Sequence, residues 1–448
     1  MFDLSLLKLD PYLSVAAIAF LINIPLGYIR ENHPRFSFQW FLWIHASIPL
    51  LAYLRIKLDD SFLFIFVSIF CAVVAQILGG CWRLSRMSLK DKESLQQIPS
   101  EIQCVRRVDD CDVVVVLLNM GGPRTNADVG DFQKRLFSDR RLIRFPLGWA
   151  FQKLFASLLV FFRSKEAQKR YELIGGGSPI LESTRNQTLA LEEELKRRGH
   201  AVEVIFSFNY SAPFPDETIV HVKKLGKKYL LPVSLYPHYS EATTGSNLFY
   251  LRKSAQAIYP QLTILDSRDY YLHDQYIQAF IDRIHQQIGP SESLDDFYLL
   301  FSAHGLPLYF LKEGDLYPFQ ISQTVAKILT QLHRQDYWSI AYQSAVGPLQ
   351  WLKPSTDDMI TTLARRGVRK MIIIPVSFVT DHIETTCEID MEYRQMAQKA
   401  GIKDFRMSKA IECHPGFIQA LADTVEKSLN MGKSDRNATE SSQTAQKI

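Results

Sequence analysis

The apolar run Met371-Ile372-Ile373-Ile374-Pro375-Val376 leads through Ser377-Phe378-Val379-Thr380 into Asp381-His382-Ile383-Glu384. An unbroken run rich in β-branched residues is typical of a parallel strand that is covered on both faces. In open parallel sheets, ligands bind beyond the carboxyl ends of the strands. Asp381, His382 and Glu384 follow such an end and are therefore candidates for a binding or catalytic site.

The same pattern occurs earlier in the chain, in Leu230-Leu231-Pro232-Val233-Ser234. Four positions agree at one constant offset, so that Pro232, Ser234, Glu241 and Thr243 correspond to Pro375, Ser377, Glu384 and Thr386. Two further predicted strands, 113–118 and 297–301, also end in similar turns, Asn119-Met120-Gly121-Gly122-Pro123 and Ser302-Ala303-His304-Gly305-Leu306-Pro307. This internal repeat predicts two α/β domains of one design, with parallel strands and right-handed crossovers.

The N-terminal part of the chain differs in composition from the rest, because the stretches 12–29, 36–54 and 61–82 contain no Asp, Glu, Lys or Arg. Each is close to the roughly 20 residues that span the hydrocarbon core of a bilayer. We therefore predict a transmembrane region over 1–84 with three spans, followed by a polar linker over 85–112. A cleaved signal peptide is disfavoured because three apolar stretches follow one another. Three buried helices of a soluble domain are disfavoured because polar faces at helical period are missing.

Positive residues set the predicted orientation of these spans. Arg30 and Arg35 lie in the first loop, and the third span is followed by Arg83, Arg86, Lys90 and Lys92, against Arg55 and Lys57 in the second loop. Because cytoplasmic loops carry the excess of Lys and Arg, the large C-terminal part is predicted to be cytoplasmic. The protein is then predicted to be anchored in a membrane by its N-terminal spans.

Composition excludes several other classes of function. The six cysteines show no paired short spacing of the metal-binding kind, which indicates free thiols in a reducing compartment. A net charge of +4, without a basic run, argues against a nucleic-acid partner. The last stretch, 432–448, is rich in Ser, Thr, Gln and charge and is predicted to be a disordered tail.

Two glycine-rich turns stand out in the first half. Gly121-Gly122 lets the backbone bend sharply or approach a ligand closely, but a G-x-G-x-x-G spacing and a P-loop lysine are missing, which disfavours nucleotide binding. Gly175-Gly176-Gly177-Ser178-Pro179-Ile180 leads into a predicted helix over 181–198. Between them, the apolar segment 145–162 is interpreted either as an amphipathic helix against a membrane or an apolar ligand, or as a core helix.

The second half supplies a histidine and an indole in predicted loops. His304 lies at the carboxyl end of a strand, where a neutral imidazole accepts a proton or binds metal, although a hydrogen-bonded turn residue is the plain alternative. Trp351 follows the turn Ser344-Ala345-Val346-Gly347-Pro348 and suits either a flat aromatic ligand or ordinary packing.

Together and in this order, these motifs resemble those of ferrochelatases, the enzymes that insert ferrous iron into protoporphyrin in the last step of haem synthesis. The resemblance covers about 113–429 and includes Tyr236-Pro237-His238-Tyr239-Ser240, Tyr317-Pro318 and Gly347-Pro348. It implies the chelatase fold, in which two Rossmann-like domains, here 113–285 and 286–431, enclose a porphyrin cleft. The three predicted spans lie outside the resemblance.

The resemblance also implies roles for particular residues. His304 and Glu384 become the catalytic pair and the transient ligands of iron. The residues implied to bind the porphyrin are Met120, Ser178, Tyr236, Tyr317, Trp351, Asp381 and His382. Asn119-Met120 is the form seen in family members that use protoporphyrin. Metallation removes two pyrrole protons and strips water from iron, which requires a base and a carboxylate that holds the metal only briefly.

Three departures from the family pattern concern the porphyrin propionates. Leu173, Asn209 and Ala345 stand where many ferrochelatases carry arginine or lysine, so Arg185 or the basic residues near Arg163 are candidates to substitute. The C-terminus lacks the cysteines that hold an iron–sulfur cluster in animal enzymes, so we expect no cluster and no tightly bound cofactor, with Fe2+ as substrate.

The expected partners are protoporphyrin IX, ferrous iron and membrane lipid, and the oligomeric state stays open. Three alternatives to a protoporphyrin ferrochelatase remain. They are a chelatase for another metal or tetrapyrrole, a non-catalytic haem- or porphyrin-binding relative, and a membrane receptor built on two α/β lobes.

Overall fold

The structure is a computed structural model that describes residues 20–26, 29, 43, 46–47, 75, 110–143, 148–345 and 349–444. The chain divides into two compact units, Met1–Gln103 and Cys104–Ile448. Most of the three predicted spans, and of the linker, lies outside the described residues. No helix within the described part of the chain combines the length and the apolar character needed to cross a membrane.

Two four-stranded parallel sheets form the second unit. The first sheet has the order β2-β1-β3-β4 and contains β1 (Val113–Asn119), β2 (Glu203–Phe208), β3 (Tyr229–Ser234) and β4 (Thr263–Ile264). The second has the order β6-β5-β7-β8 and contains β5 (Tyr298–His304), β6 (Trp338–Gln343), β7 (Lys370–Pro375) and β8 (Asp404–Met407). The same strand order in both sheets confirms the internal repeat and the α/β class.

Helices connect the parallel strands, because parallel neighbours need a crossover connection. In the first half they are α1 (Val129–Ser138), α2 (Gly148–Leu173), α3 (Ile180–Arg197), α4 (Pro215–Lys224), α5 (Ser246–Ile258) and α6 (Asp274–His285). In the second half they are α7 (Leu308–Lys312), α8 (Tyr317–Gln331), α9 (Thr356–Arg365), α10 (Arg394–Ala400) and α11 (Pro415–Thr444). The predicted helix over 181–198 is confirmed to within one residue at each end.

Successive side chains of the central strands pack into hydrophobic clusters on opposite faces of each sheet. Val115 and Leu117 of β1 share one cluster with Phe301 of β5 and Ile372 of β7, so the two sheets pack around a common core. The neighbouring side chains face the outer helices, in a cluster that contains Val114, Val116 and Leu118 and in another that contains Leu300, Met371 and Ile373. Both faces of each central strand are therefore covered, which is why these runs lack polar alternation.

Two irregular helices repeat at equivalent places. A π-helix begins at Glu384 and runs over Glu384–Tyr393, and a shorter one covers Glu241–Gly245 in the first half. These positions correspond through the sequence repeat. Single-turn or short π-helices are rare and frequently occur at functional sites. The sequence patterns predicted the corresponding glutamates, but not this geometry.

The C-terminal end differs from the sequence-based prediction. Helix α11 continues to Thr444, whereas 432–448 was predicted to be a disordered tail. The residues 432–444 contain no proline, the residue that breaks a helix most strongly, and the helix that starts at Pro415 continues through Gly432. Residues 445–448 lie outside the described part of the chain.

Candidate active site

A cavity of about 470 Å³ opens where the strands of both sheets end. It is lined by Met120, which follows β1, by Tyr236, which follows β3, by His304 at the end of β5, and by Ser377 beyond β7. Most of the lining is apolar or aromatic, with few charged groups. Size and lining are those of a site for an organic ligand held by a small number of polar contacts.

His304 and Glu384 meet in the wall of this cavity. The His304 Nδ1 atom lies 2.9 Å from Glu384 Oε2, and both side chains keep part of their surface exposed. Two hydrogen bonds hold the backbone of His304, since its N–H donates to Ser377 Oγ at 2.9 Å and its carbonyl accepts from the Tyr317 hydroxyl at 3.0 Å. Nδ1 is occupied by the carboxylate, so Nε2 is the ring nitrogen left for a ligand.

The two groups shift each other's pKa in opposite directions. Burial lowers the pKa of the His304 imidazole, but the Glu384 carboxylate raises it by more, and the resulting pKa is above the ordinary value. Burial also raises the pKa of Glu384, while His304 and His382 hold that pKa well below its usual range. The pair therefore combines a carboxylate whose ionised form is favoured with an imidazole that holds its proton more strongly than a free histidine does.

His382 and Glu388 extend this polar cluster. His382 Nε2 lies 3.7 Å from Glu384 Oε2, and its Nδ1 is buried without a hydrogen-bond partner among the described residues. Glu388 accepts hydrogen bonds from the Ser344 N–H, the Ser344 hydroxyl and the Tyr393 hydroxyl. Burial and the charge of Glu384 raise the pKa of Glu388. Sequence analysis missed Glu388, although its four-residue spacing from Glu384 could have indicated it.

Five other predicted site residues lie in the cavity lining, and three of them are aromatic. Met120, Ser178, Tyr236, Tyr317 and Trp351 all line the cavity, together with Tyr171, which sequence analysis missed. Burial raises the pKa of the Tyr171, Tyr236 and Tyr317 hydroxyls, so these groups stay protonated at neutral pH. Their roles in binding a substrate remain predictions.

Asp381 is the predicted site residue that the structure places elsewhere. Its carboxylate accepts a hydrogen bond from the Ala410 N–H, with N–O distances of 3.4 and 3.3 Å, and it does not line the cavity. Its own N–H donates to Glu412 Oε1 at 2.7 Å. The side chain of Asp381 therefore points away from the cavity. Its hydrogen bonds hold the start of the His382–Glu384 segment against the neighbouring loop that contains Ala410 and Glu412.

The apolar segment 145–162 falls largely on helix α2. Leu154, Leu158, Phe161 and Phe162 are exposed, so the described part of the segment is not a core helix. The next turns of the same helix line the cavity with Arg163, Glu166, Ala167, Arg170 and Tyr171. Helix α2 is therefore a wall of the cavity with an apolar outer surface. This arrangement favours the interpretation of a helix against a membrane or an apolar ligand over that of a core helix.

The three positions that lack the expected arginine or lysine have different surroundings. Leu173 is exposed and Asn209 donates to Ser246 Oγ at 3.2 Å, and neither lines the cavity, whereas Ala345 does. Arg185, one suggested substitute, lines a separate groove beside β2. Arg163 lies in the cavity wall and has no ion-pair partner among the described residues.

No group of three or more His, Cys, Asp or Glu side chains that could hold a metal ion occurs among the described residues. His304 and Glu384 nonetheless offer a nitrogen and oxygens of the kind that bind ferrous iron. Two like α/β halves thus bring a histidine–carboxylate pair into an aromatic-lined cavity that lies at the ends of both sheets.

Comparison with known proteins identifies the family. Residues 112–429 match the family model described as Ferrochelatase. The chain is 40% identical over 321 residues to the ferrochelatase of Synechococcus elongatus, covering 71% of this chain and 82% of that protein. It is also 40% identical over 324 residues to the ferrochelatase of Gloeobacter violaceus, covering 71% and 98%. The chain therefore belongs to the ferrochelatase family.

This membership confirms the predicted family and the predicted enzyme class, a chelatase that inserts iron into a porphyrin in haem biosynthesis. A weaker similarity relates the chain to the solved structure of SirB from Bacillus subtilis with Fe3+. Its TM-score is 0.43 at 16% identity, over 56% of this chain and 92% of that chain.

Proposed function

We propose that this protein inserts ferrous iron into protoporphyrin IX to form protohaem, through His304 and Glu384. The observation that carries the proposal is the 2.9 Å contact between His304 Nδ1 and Glu384 Oε2 in an otherwise largely apolar cavity. Porphyrin rings are flat and apolar, so aromatic walls suit them, while the two pyrrole N–H groups need a nearby base.

His304 and Glu384 have different roles in this proposal. His304 Nε2 accepts a pyrrole proton, and the Glu384 carboxylate stabilises the imidazolium that forms because it already contacts Nδ1. The carboxylate oxygens of Glu384 are hard ligands that bind iron as it sheds water. Glu388 lies in the same wall and has a raised pKa, so its carboxyl group keeps a proton to higher pH than an exposed carboxyl group does.

The decisive experiment incubates the full-length protein in detergent with ferrous iron and protoporphyrin IX under anaerobic conditions. The porphyrin absorption spectrum should be replaced by that of haem at a rate well above the protein-free reaction. Coproporphyrin, sirohydrochlorin and other divalent metals serve as comparisons. Faster metallation of another tetrapyrrole, or faster insertion of another metal, would assign the alternative chelatase. Binding without any metallation would assign the non-catalytic relative.

Arg163 is proposed to bind a porphyrin propionate in place of the missing cations. We expect Arg163→Gln to weaken protoporphyrin binding by roughly tenfold, because one charge-assisted hydrogen bond is worth about 1.4 kcal/mol or more. Fluorescence titration should show no such loss for the dimethyl ester, which has no carboxylate. Arg185→Gln, in the separate groove, is the matched control. Equal weakening for the acid and the ester would contradict this role.

We further propose that residues 1–84 anchor the protein in a membrane by three spans and leave the catalytic part in the cytoplasm. The support is the three charge-free stretches and the distribution of Arg and Lys. A buried hydrogen bond of 3.0 Å from Ser47 Oγ to Asn23 Oδ1 joins residues of the first two proposed spans, as polar pairs join helices in bilayers.

The full-length protein should stay in the membrane fraction after an alkaline carbonate wash. A tag placed after Ile448 should be digested by protease only when the cytoplasmic face is accessible. Recovery of the protein in the wash, or protection of that tag from the cytoplasmic side, would contradict the anchor or its orientation. The predicted lack of an iron–sulfur cluster stays a prediction, to be checked by iron and sulfide analysis of the purified protein.

A further inference from the structure

Helix α2 and the π-helix Glu384–Tyr393 both contribute to the cavity lining. Helix α2 contributes Arg163, Glu166, Ala167, Arg170 and Tyr171, which recur at the spacing of one helical face. The π-helix contributes Glu384 and Glu388. A flat macrocycle that enters between these elements has to separate them or find them already apart.

One ion pair joins the two elements. Arg170 Nε donates to Glu392 Oε1 at 2.8 Å, and Arg170 Nη2 donates to both oxygens of the same carboxylate. The partners are 222 residues apart in the sequence, one in each half of the repeat. A forked contact of this kind fixes both the distance and the orientation of the two elements.

Other hydrogen bonds hold helix α2 to the first half. Gln168 donates to the carbonyl of Asn126, and Gln152 donates to the carbonyls of Phe137 and Ile143, all in the first half. Leu154, Leu158, Phe161 and Phe162 are exposed and contribute little to a core. Helix α2 packs against helix α1 of the same half, so its contact with the π-helix can change without unpacking it from the first half.

The strength of the pair also suits repeated opening. The side chains of Arg170 and Glu392 are 36% and 44% exposed. An ion pair with this much water contact stabilises by a modest amount, so thermal motion breaks it readily. A deeply buried pair would instead hold the cavity shut.

We propose that the Arg170–Glu392 ion pair is a latch that holds helix α2 against the π-helix and limits the exchange of porphyrin with the cavity. Arg170 is thus a positioning residue, since it acts through the separation of the two elements and not on the reacting atoms. The inference rests on the proposed porphyrin substrate. It adds a control on entry and release that the His304–Glu384 chemistry does not supply.

The test measures association and dissociation rates of protoporphyrin IX with the full-length protein, without metal, by stopped-flow fluorescence. Arg170→Gln and Glu392→Gln should each raise both rates by roughly two- to fivefold, the range for an exposed ion pair, with little change in their ratio. The charge-swapped double variant, Arg170→Glu with Glu392→Arg, should restore slow exchange. Arg197→Gln, which removes an exposed ion pair with Glu194 on helix α3, should change nothing and is the matched control.

Each of the following outcomes would contradict the proposal that the ion pair is a latch. Unchanged rates in both single variants would make the pair an ordinary surface contact. A faster dissociation with unchanged association, in Arg170→Gln alone, would make Arg170 a direct ligand of a propionate. A change confined to the KM for iron would assign the pair to metal entry. A protein that binds no porphyrin before substitution would refute the proposed function itself, whereas normal binding with unchanged rates in the variants would refute only the latch.

Discussion

Replacing His304 by alanine is expected to slow iron insertion by roughly a hundred- to ten-thousand-fold, the usual contribution of a positioned general base. The reason is that His304 Nε2 is the proton acceptor in the cavity wall while Nδ1 is held by Glu384. Porphyrin binding should survive, because Tyr171, Tyr236 and Trp351 still line the cavity. Initial rates of haem formation and fluorescence titration of the porphyrin measure the two effects separately.

Glu384→Gln keeps the shape of the side chain and removes its charge, so it should also slow insertion strongly. The double variant should lose much less than the product of the two single losses, because residues that act as one unit are not additive. Thermal unfolding of all three variants is the control. Near-normal rates, or losses that follow the unfolding temperature, would show that the pair is structural.

The same pair sets the expected pH dependence. The pKa of His304 is above its ordinary value because the Glu384 carboxylate outweighs the effect of burial. Below that pKa the imidazole is protonated and accepts no pyrrole proton, so kcat/KM for the porphyrin should fall as the pH falls through it. Glu384→Gln removes the negative charge that raises the pKa of His304, so the acid limb of the pH profile should move to lower pH. An acid limb in the same place in both proteins would mean that another group controls it.

Gly121→Ala is expected to have the largest effect on stability. Gly121 has a φ of 82°, and an added Cβ would lie 2.1 Å from Ser211 Oγ and 2.9 Å from Phe208 Cβ. The left-handed backbone costs about 1–2 kcal/mol for a residue with a side chain. Overpacking adds roughly 1–3 kcal/mol. The unfolding temperature of the full-length protein should drop by many degrees, and porphyrin binding should weaken because Gly121 lines the cavity.

Two variants separate the causes of that loss. Gly176 has a similar φ of 87° with nothing within 4 Å of its added Cβ, so Gly176→Ala should carry the backbone cost alone. Adding Ser211→Ala to Gly121→Ala removes the Oγ that the new methyl group meets, and should recover part of the stability. A loss in Gly121→Ala no larger than in Gly176→Ala would show that the turn has room for a side chain.

Much of the fold could be predicted from local sequence. Runs such as 113–118 and 371–376 have no polar face, so a strand covered on both sides is the structure that buries them with all backbone groups bonded. The repeat of Pro232 and Ser234 as Pro375 and Ser377 then predicted two sheets of one design. The paired register agrees, since Pro232 lies opposite Val116 and Pro375 opposite Ser302.

The repeat alone did not distinguish the two equivalent glutamates, Glu241 and Glu384. The tertiary structure does. Glu384 contacts His304 in the cavity wall, whereas Glu241 lies outside the lining and pairs with Arg141 at 3.4 Å and with the Tyr239 hydroxyl. The first sheet carries Leu118, two residues after Val116, where the second sheet carries His304, two residues after Ser302.

The sequence by itself determined the parallel sheets, the repeat, the family and most of the residues near the cavity, because each of these depends on local backbone preference or on adjacent residues in a motif. Only the tertiary structure decided which side chains meet. Asp381 turns to Ala410, Arg185 lies in another groove, and Arg170 of the first half pairs with Glu392 of the second half. Side-chain direction at the end of a strand, and contacts across hundreds of residues, follow from how the two sheets and their helices pack, and no local pattern encodes that packing.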